Sequence, residues 1–203
     1  IAADRNQRGV RYALDEFIRI RLGSLDAFAA QARKRKDRNA GFFSALENAY
    51  GVPSGIILAI HGMETGFGRF MGDTPVVDSI TTVAYDCRRS EFFKPHAIAA
   101  LKLVDQGVIT GTSRGAAHGE LGHTQFLPGN ALVYGADGNG DGRVDMYNQA
   151  DALASTARFL ASKGWERGAP YQEGSANFRV LNEWNAATVY QQAIALSAVR
   201  IDR

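Results

Sequence analysis

Apolar residues recur at steps of three and four along most of this 203-residue chain, and almost nowhere do they alternate at every second position. That periodicity predicts helix after helix around a shared core, an all-α fold. Between residues 10 and 22 the pattern runs through Val10, Leu14, Phe17, Ile18 and Leu22. Ser24 stands where it can cap a second helix with Leu25, Phe28, Ala29 and Ala32 on one face. The basic run Arg33 to Arg38 that follows suits a solvated helix C-terminus. Phe42, Phe43, Leu46 and Ala49 mark a third helix, stopping near Tyr50-Gly51. Pro53-Ser54 opens a fourth, with Ile56, Ile60, Met63 and Phe67 at steps of four, three and four. Further helices are expected over 91–104, 149–163 and 186–200. Residues 107–147 hold ten glycines and one proline and read as loop with short helical turns. Long ordered loops inside a helical frame tend to carry function.

Composition narrows the partners. The chain is 45% hydrophobic and 22% charged, as a globular protein is. Twenty-three basic against 21 acidic side chains leave a net charge of +2, too balanced to point to nucleic acid. Apolar runs such as Ile56 to Ile60 stop at five residues, far short of the ~18 that span a bilayer. Cys87 is the only cysteine, so neither an internal disulfide nor a multi-thiolate zinc site is expected. Its neighbours Asp86, Arg88 and Arg89 do not mark a nucleophile. The start, Ile1-Ala2-Ala3-Asp4, has no basic segment leading into an apolar one, so the expectation is a mature or trimmed chain.

Four segments carry the residue types that chemistry needs. In His61-Gly62-Met63-Glu64-Thr65-Gly66-Phe67-Gly68, Glu64 falls at the end of an apolar helix. Partial burial and the negative helix terminus both disfavour its charged form, the tuning a general acid needs. In Gly119-Glu120-Leu121-Gly122-His123-Thr124-Gln125-Phe126-Leu127-Pro128, glycines bracket a polar trio that can present backbone amides and the Gln125 carboxamide to a sugar. Asp137-Gly138-Asn139-Gly140-Asp141-Gly142-Arg143 is the opening half of an EF-hand loop, with oxygen donors at positions 1, 3 and 5, Gly at 6 and a backbone carbonyl at 7. Position 12 is Asn148 rather than a bidentate Glu, and Asp151 can close the loop instead. In Glu183-Trp184-Asn185-Ala186-Ala187-Thr188-Val189-Tyr190, ring faces and an amide suit carbohydrate. Each segment also has a structural reading: a solvated helix-end glutamate, a tight turn, an Asx-rich loop without an ion, and core aromatics with an Asn cap.

Taken in order, these segments resemble the lytic murein transglycosylases of the membrane-bound lytic transglycosylase B family. The resemblance rests on Tyr50-Gly51-Val52-Pro53, Glu64-Thr65 with Gly68-Arg69, Thr74 to Asp78, and Arg88-Arg89-Ser90-Glu91-Phe92-Phe93. It continues through Gly122 with Gln125 to Pro128, the Asp137–Asp141 loop, Asp151-Ala152-Leu153, Gly164-Trp165 and Trp184-Asn185 with Tyr190. It covers residues 41 to 200, and residues 1–40 carry no matching motif. The implied organisation is an N-terminal helical extension over 1–40 packed on a catalytic domain over 41–203. The implied fold is lysozyme-like, as in goose-type lysozyme and the lytic transglycosylases, with a glycan groove and an EF-hand-like loop.

The resemblance implies cleavage of the peptidoglycan MurNAc–GlcNAc β-1,4 bond to a 1,6-anhydroMurNAc end, with Glu64 as single acid/base. A hydrolytic muramidase, or a non-catalytic peptidoglycan-binding protein, is the alternative. Arg88, Arg89, Gln125, Tyr134, Asn185 and Tyr190 fall on substrate-binding positions. Asp137, Asn139, Asp141, the Arg143 carbonyl and Asp151 fall on a structural calcium loop longer than the usual EF-hand. No organic cofactor is implied, and the expected partner is the glycan strand, met by a periplasmic monomer whose leader or lipid anchor is not in this chain. Ala116 stands where the family commonly has Ser, Glu120 where it has Ala, and His61 where it has a small or aromatic residue. The stretch between Trp165 and Trp184 is short for the family.

Overall fold

A computed structural model describes residues 12–203. The expected start of the first helix at Val10 lies outside the described residues. Ten helices and one two-residue β-pair are present among the described residues. The chain divides into two compact units. A helical unit comprises residues 12–67 and 156–203, and a loop-rich unit residues 68–155.

The helical unit contains α1 (Leu14–Leu22), α2 (Leu25–Arg38), α3 (Ala40–Tyr50) and α4 (Ser54–Thr65), then the end of α8 (Gln149–Ser162), α9 (Ala176–Trp184) and α10 (Thr188–Asp202). Ser24 caps α2 as expected, its hydroxyl accepting the Ala27 amide at 3.3 Å. Gly51 ends α3 in the left-handed region at φ 74°. Helix α4 is not amphipathic but buried on every side: Ile56, Ile57, Leu58, Ala59 and Ile60 are wholly covered. Residues 54–63 offer almost no polar side chain with which to face water, so the segment must run through the core. Helices α2 and α10 pack against it.

Helix α10 holds α4 at both ends. At its start Tyr190 meets the last turn of α4 through Glu64. At its finish Asp202 accepts the Gly55 amide at 3.0 Å and the Ser54 hydroxyl at 3.1 Å, while Lys36 donates to the same oxygen at 2.7 Å. A carboxylate there satisfies an otherwise unpaired first-turn amide and complements the helix dipole. Close approach needs Gly55: a β-carbon would lie 2.7 Å from the Ala198 carbonyl oxygen and 2.3 Å from an Asp202 carboxylate oxygen. Gly55→Ala is expected to cost about 1–3 kcal/mol through overpacking. Chemical denaturation checks this; an unchanged midpoint would show that the two helices are not in tight contact.

The loop-rich unit contains β1 (Thr74–Pro75), α5 (Val76–Tyr85), α6 (Ser90–Asp105), β2 (Arg114–Gly115), α7 (Pro128–Tyr134) and the first part of α8. Strands β1 and β2 pair antiparallel, Thr74 opposite Gly115 and Pro75 opposite Arg114. Ile80, Val83, Ala84, Phe93 and Ala100 form its core, with Ala97 and Leu127 packed on them. Helices α5 and α9 are additions to the elements expected from sequence. In α5 the β-branched Val76, Val77, Ile80, Thr81, Thr82 and Val83 weaken intrinsic helix propensity, and packing on α6 overrides it. In α9 the start is set by Ser175, whose hydroxyl accepts the Phe178 amide at 3.1 Å.

Candidate active site

Glu64 occupies the last turn of α4, where Gly66, Phe67 and Gly68 follow at φ 59°, 63° and 84°. Three successive left-handed residues end the helix abruptly. For Phe67 that conformation costs about 1–2 kcal/mol, and its ring is over-determined by neighbours. It stacks on Phe28 at 5.3 Å, meets His61 edge-on at 5.7 Å, and lies beneath the Arg35 guanidinium at 4.2 Å. His61 is fully buried and acts in this packing. The backbone beneath Glu64 is thereby fixed.

The Glu64 side chain is half-buried. Its Oε1 accepts two hydrogen bonds, from the Trp184 indole N–H at 3.0 Å and from the Tyr190 hydroxyl at 2.7 Å. Trp184 is the last residue of α9 and packs edge-on against Phe159 at 5.5 Å. Tyr190 is 6% exposed and meets Phe17 of α1 edge-on at 5.9 Å. Burial, followed by the Glu64 charge and hydrogen bond, pushes the Tyr190 phenol well above its ordinary range, with Arg21 opposing. Tyr190 therefore remains a protonated donor. Both donors favour the charged carboxylate, against the burial and helix-terminus effects expected from sequence. Trp184 matters through its N–H as well as its ring face, and no spacing rule in the sequence links it to Glu64.

Asn185 lies beside this cluster in the chain but serves as a turn former. Its carboxamide oxygen accepts the Ala187 amide at 3.0 Å and its backbone carbonyl accepts the Gln191 side chain at 2.8 Å. This orients the start of α10, and so Tyr190.

Arg88, Arg89, Gln125 and Tyr134 belong to the loop-rich unit, whereas Glu64, Asn185 and Tyr190 belong to the helical unit. Gln125 holds φ 55°, strained for a residue with a β-carbon. Its side-chain nitrogen donates to Gly122 O at 2.9 Å and Met71 O at 3.2 Å. Both amide hydrogens are spent on backbone. The nitrogen of the carboxamide expected to meet a sugar is thus a structural clasp, and the carboxamide oxygen is what remains as an acceptor. Gly122 cannot be replaced, because a β-carbon would lie 2.1 Å from the Met146 carbonyl oxygen. Tyr134 ends α7 and is half-buried. The Arg88 guanidinium pairs with the buried Asp86 carboxylate at 2.9 Å. Arg89 lies over the Phe93 ring at 4.6 Å. Glu120 has a structural contact: it accepts the His118 amide at 3.1 Å and stands 3.5 Å from His118 Nδ1.

In the EF-hand-like loop, Asp137 accepts the amides of Gly140 at 2.6 Å and Gly142 at 2.7 Å, and Asp141 accepts that of Arg143 at 2.9 Å. The Gly142 amide is the main cause that holds the exposed Asp137 carboxyl below its ordinary range. Its contribution to the loop is present above the ordinary carboxylate range and is lost as pH falls through the lowered folded value. Asn148 caps α8, its oxygen accepting the Ala150 amide at 2.9 Å. That is why position 12 is not a ligand type. Asp151, 1% exposed, accepts the amides of Gly138 at 2.9 Å, Asn139 at 3.2 Å and Asp145 at 2.8 Å. The donors are all oxygen, which fits a hard cation. Among the described residues, no three His, Cys, Asp or Glu side chains are grouped as a metal cluster.

The carboxylate clamped by two aromatic donors at a helix end sits in a mostly helical, lysozyme-like fold. The family model described as "Transglycosylase SLT domain" matches residues 1–174, and the chain belongs to that family. The match extends through residues 1–40. Membrane-bound lytic murein transglycosylase B of Escherichia coli K12 is 34% identical over 121 residues, 59% of this chain and 34% of that protein. The chain thus spans about a third of that relative's length. SltB3 from Pseudomonas aeruginosa, solved in complex with NAG-anhNAM-pentapeptide, superposes with a TM-score of 0.89 at 25% identity, covering 100% of this chain and 70% of that one. Slt35 of E. coli, solved in complex with calcium, gives 0.86 at 20% identity, covering 99% and 81%.

Proposed function

We propose that this protein is a peptidoglycan lytic transglycosylase with Glu64 as its single acid/base. The observation that carries the reading is the Trp184–Tyr190 clamp on one oxygen of a helix-end carboxylate. Protonated Glu64 donates to the glycosidic oxygen as the C1–O bond between MurNAc and GlcNAc breaks. The resulting carboxylate takes the proton of the muramoyl C6 hydroxyl, and that oxygen bonds to C1. A 1,6-anhydroMurNAc end forms, no water is consumed, and Glu64 finishes protonated. Glycosidases ordinarily set two carboxylates about the bond. An internal nucleophile of high effective molarity removes that need. Engagement of Glu120 by His118 supports this over a second acid guiding water.

Arg88, Arg89, Gln125, Tyr134, Asn185 and Tyr190 are assigned to substrate, Gln125 through its carboxamide oxygen. Calcium would be held by Asp137, Asn139, Asp141, the Arg143 carbonyl and Asp151. When bound it supplies cross-linking of the loop rather than chemistry. Residues 41–203 carry these groups, with 1–40 as a packing extension. The setting is the periplasm and the working form a monomer. No helix among the described residues is long and apolar enough to cross a membrane.

Mass spectrometry of digested sacculi tests the reading. Anhydro ends are expected. Reducing ends alone would make the protein a muramidase, and intact sacculi would make it a binding protein.

A further inference from the structure

Helix α1 contributes little to the core, yet it touches a side chain that holds Glu64. None of its residues is buried. Leu14, Phe17, Ile18 and Leu22 are half-buried and recur at helical spacing, so they form one apolar stripe. The helix packs on α10 and α2. From the middle of the stripe Phe17 meets the Tyr190 ring, with centroids 5.9 Å apart and planes at 64°, an edge-to-face pair. Tyr190 is 6% exposed, and its hydroxyl donates to Glu64 Oε1 at 2.7 Å. A phenol oxygen lies on the long axis of its ring. Rotation about that axis leaves it in place, whereas a swing at χ1 carries it away from the carboxylate. A second ring packed against the first limits that swing. Phe159 of α8 meets Trp184, the other donor, in the same way, at 5.5 Å and 85°. Loss of Phe17 therefore leaves one donor supported.

We propose that Phe17 is a positioning residue that holds the Tyr190 ring where its hydroxyl reaches Glu64, which makes α1 a working part of the proposed site as well as packing on it. Phe17 acts only through Tyr190 and touches no reacting atom. The hydrogen bond it maintains stabilises the carboxylate that must act as base once the leaving oxygen has taken the proton. The inference rests on the proposed activity for its catalytic meaning.

Phe17 carries no charge, so the sign of its effect on the Glu64 titration separates two roles. A ring that only kept water out would, on removal, ease the charged form and lower the midpoint. A ring that holds a donor would, on removal, weaken a hydrogen bond to the carboxylate and raise it. The Glu64 carboxyl is followed by 13C NMR in wild-type protein, Phe17→Ala, Phe17→Leu, Tyr190→Phe and the Phe17→Ala/Tyr190→Phe double variant. Tyr190→Phe is expected to raise the midpoint by about one pH unit, and Phe17→Ala by about half as much. Phe17→Leu keeps most of the bulk and gives the same sign by less; it decides the matter if Phe17→Ala does not fold. In the Tyr190→Phe background Phe17→Ala adds nothing, because the hydroxyl through which Phe17 acts is gone. On sacculi, the alkaline limb of kcat moves up with the midpoint. An unmoved or lowered midpoint in the Phe17 single variants overturns the proposal, as does a further rise in the double variant. The expected shifts with no turnover by the wild type would leave the positioning role standing and remove the transglycosylase reading.

Discussion

Glu64→Gln protein is expected to melt at the wild-type temperature and to release anhydro ends at least about a thousandfold more slowly, within the range that general acid–base groups contribute. The amide is nearly isosteric with the acid, and its carbonyl oxygen can sit where Oε1 sits, accepting from Trp184 and Tyr190. Packing around Phe67 and the cap at Gly66 do not involve the lost charge. Stability should therefore move little. The amide cannot donate a proton to a leaving oxygen or take one from a hydroxyl, so both halves of the proposed reaction fail together. Glu64→Asp separates placement from chemistry: the acid persists but withdraws by a methylene from both donors, and activity should fall nearly as far, since misplacement of about 1 Å costs about a hundredfold. Rates are read as anhydro ends released from sacculi. Full turnover by Glu64→Gln would end the assignment of Glu64 as the acid.

The helical frame and the position of Glu64 were legible because both depend on local pattern. Apolar spacing marks α2, α3, α4 and α6, and glycines after Thr65 mark where α4 must stop. Helix α5 was not legible as such, since its β-branched residues favour extended backbone until α6 covers them. The chemistry around Glu64 was legible only in part. Trp184 and Tyr190 stand 120 and 126 positions away, and no local rule selects which donor reaches which oxygen. Gln125 shows the reverse: its polarity suggested a carboxamide for a ligand, and only the positive φ and two backbone acceptors reveal that its amide nitrogen is a brace and its oxygen the atom left for a ligand. The turns of the Asp137–Asp141 loop were legible because the spacing of Asp, Asn and Gly is a local property, and Asn148 caps α8.

Asp151→Ala is expected to destabilise the loop-rich unit by about 3 kcal/mol, from buried donors that each cost about 1–3 kcal/mol when unpaired. Its two oxygens accept three amides, Gly138 and Asn139 on one and Asp145 on the other, which tie both sides of the loop to the first turn of α8. The residue is 1% exposed, so water does not easily replace it. In a chain of this size such a loss lowers the melting temperature by roughly 10 °C. The effect should appear with chelator present, because these bonds need no ion. Asp141→Ala is the contrast. Asp141 is exposed and bonds only within the loop, so with chelator its loss should change the melting temperature little. With calcium at a hundredfold its Kd, the wild type should gain about 2.7 kcal/mol, and Asp141→Ala should lose most of that gain while binding glycan as before. A melting temperature for the wild type that is the same in calcium and in chelator would remove the metal and leave Asp151 as a purely structural brace. An Asp151→Ala protein as stable as the wild type in chelator would show instead that the loop is not anchored through this carboxylate.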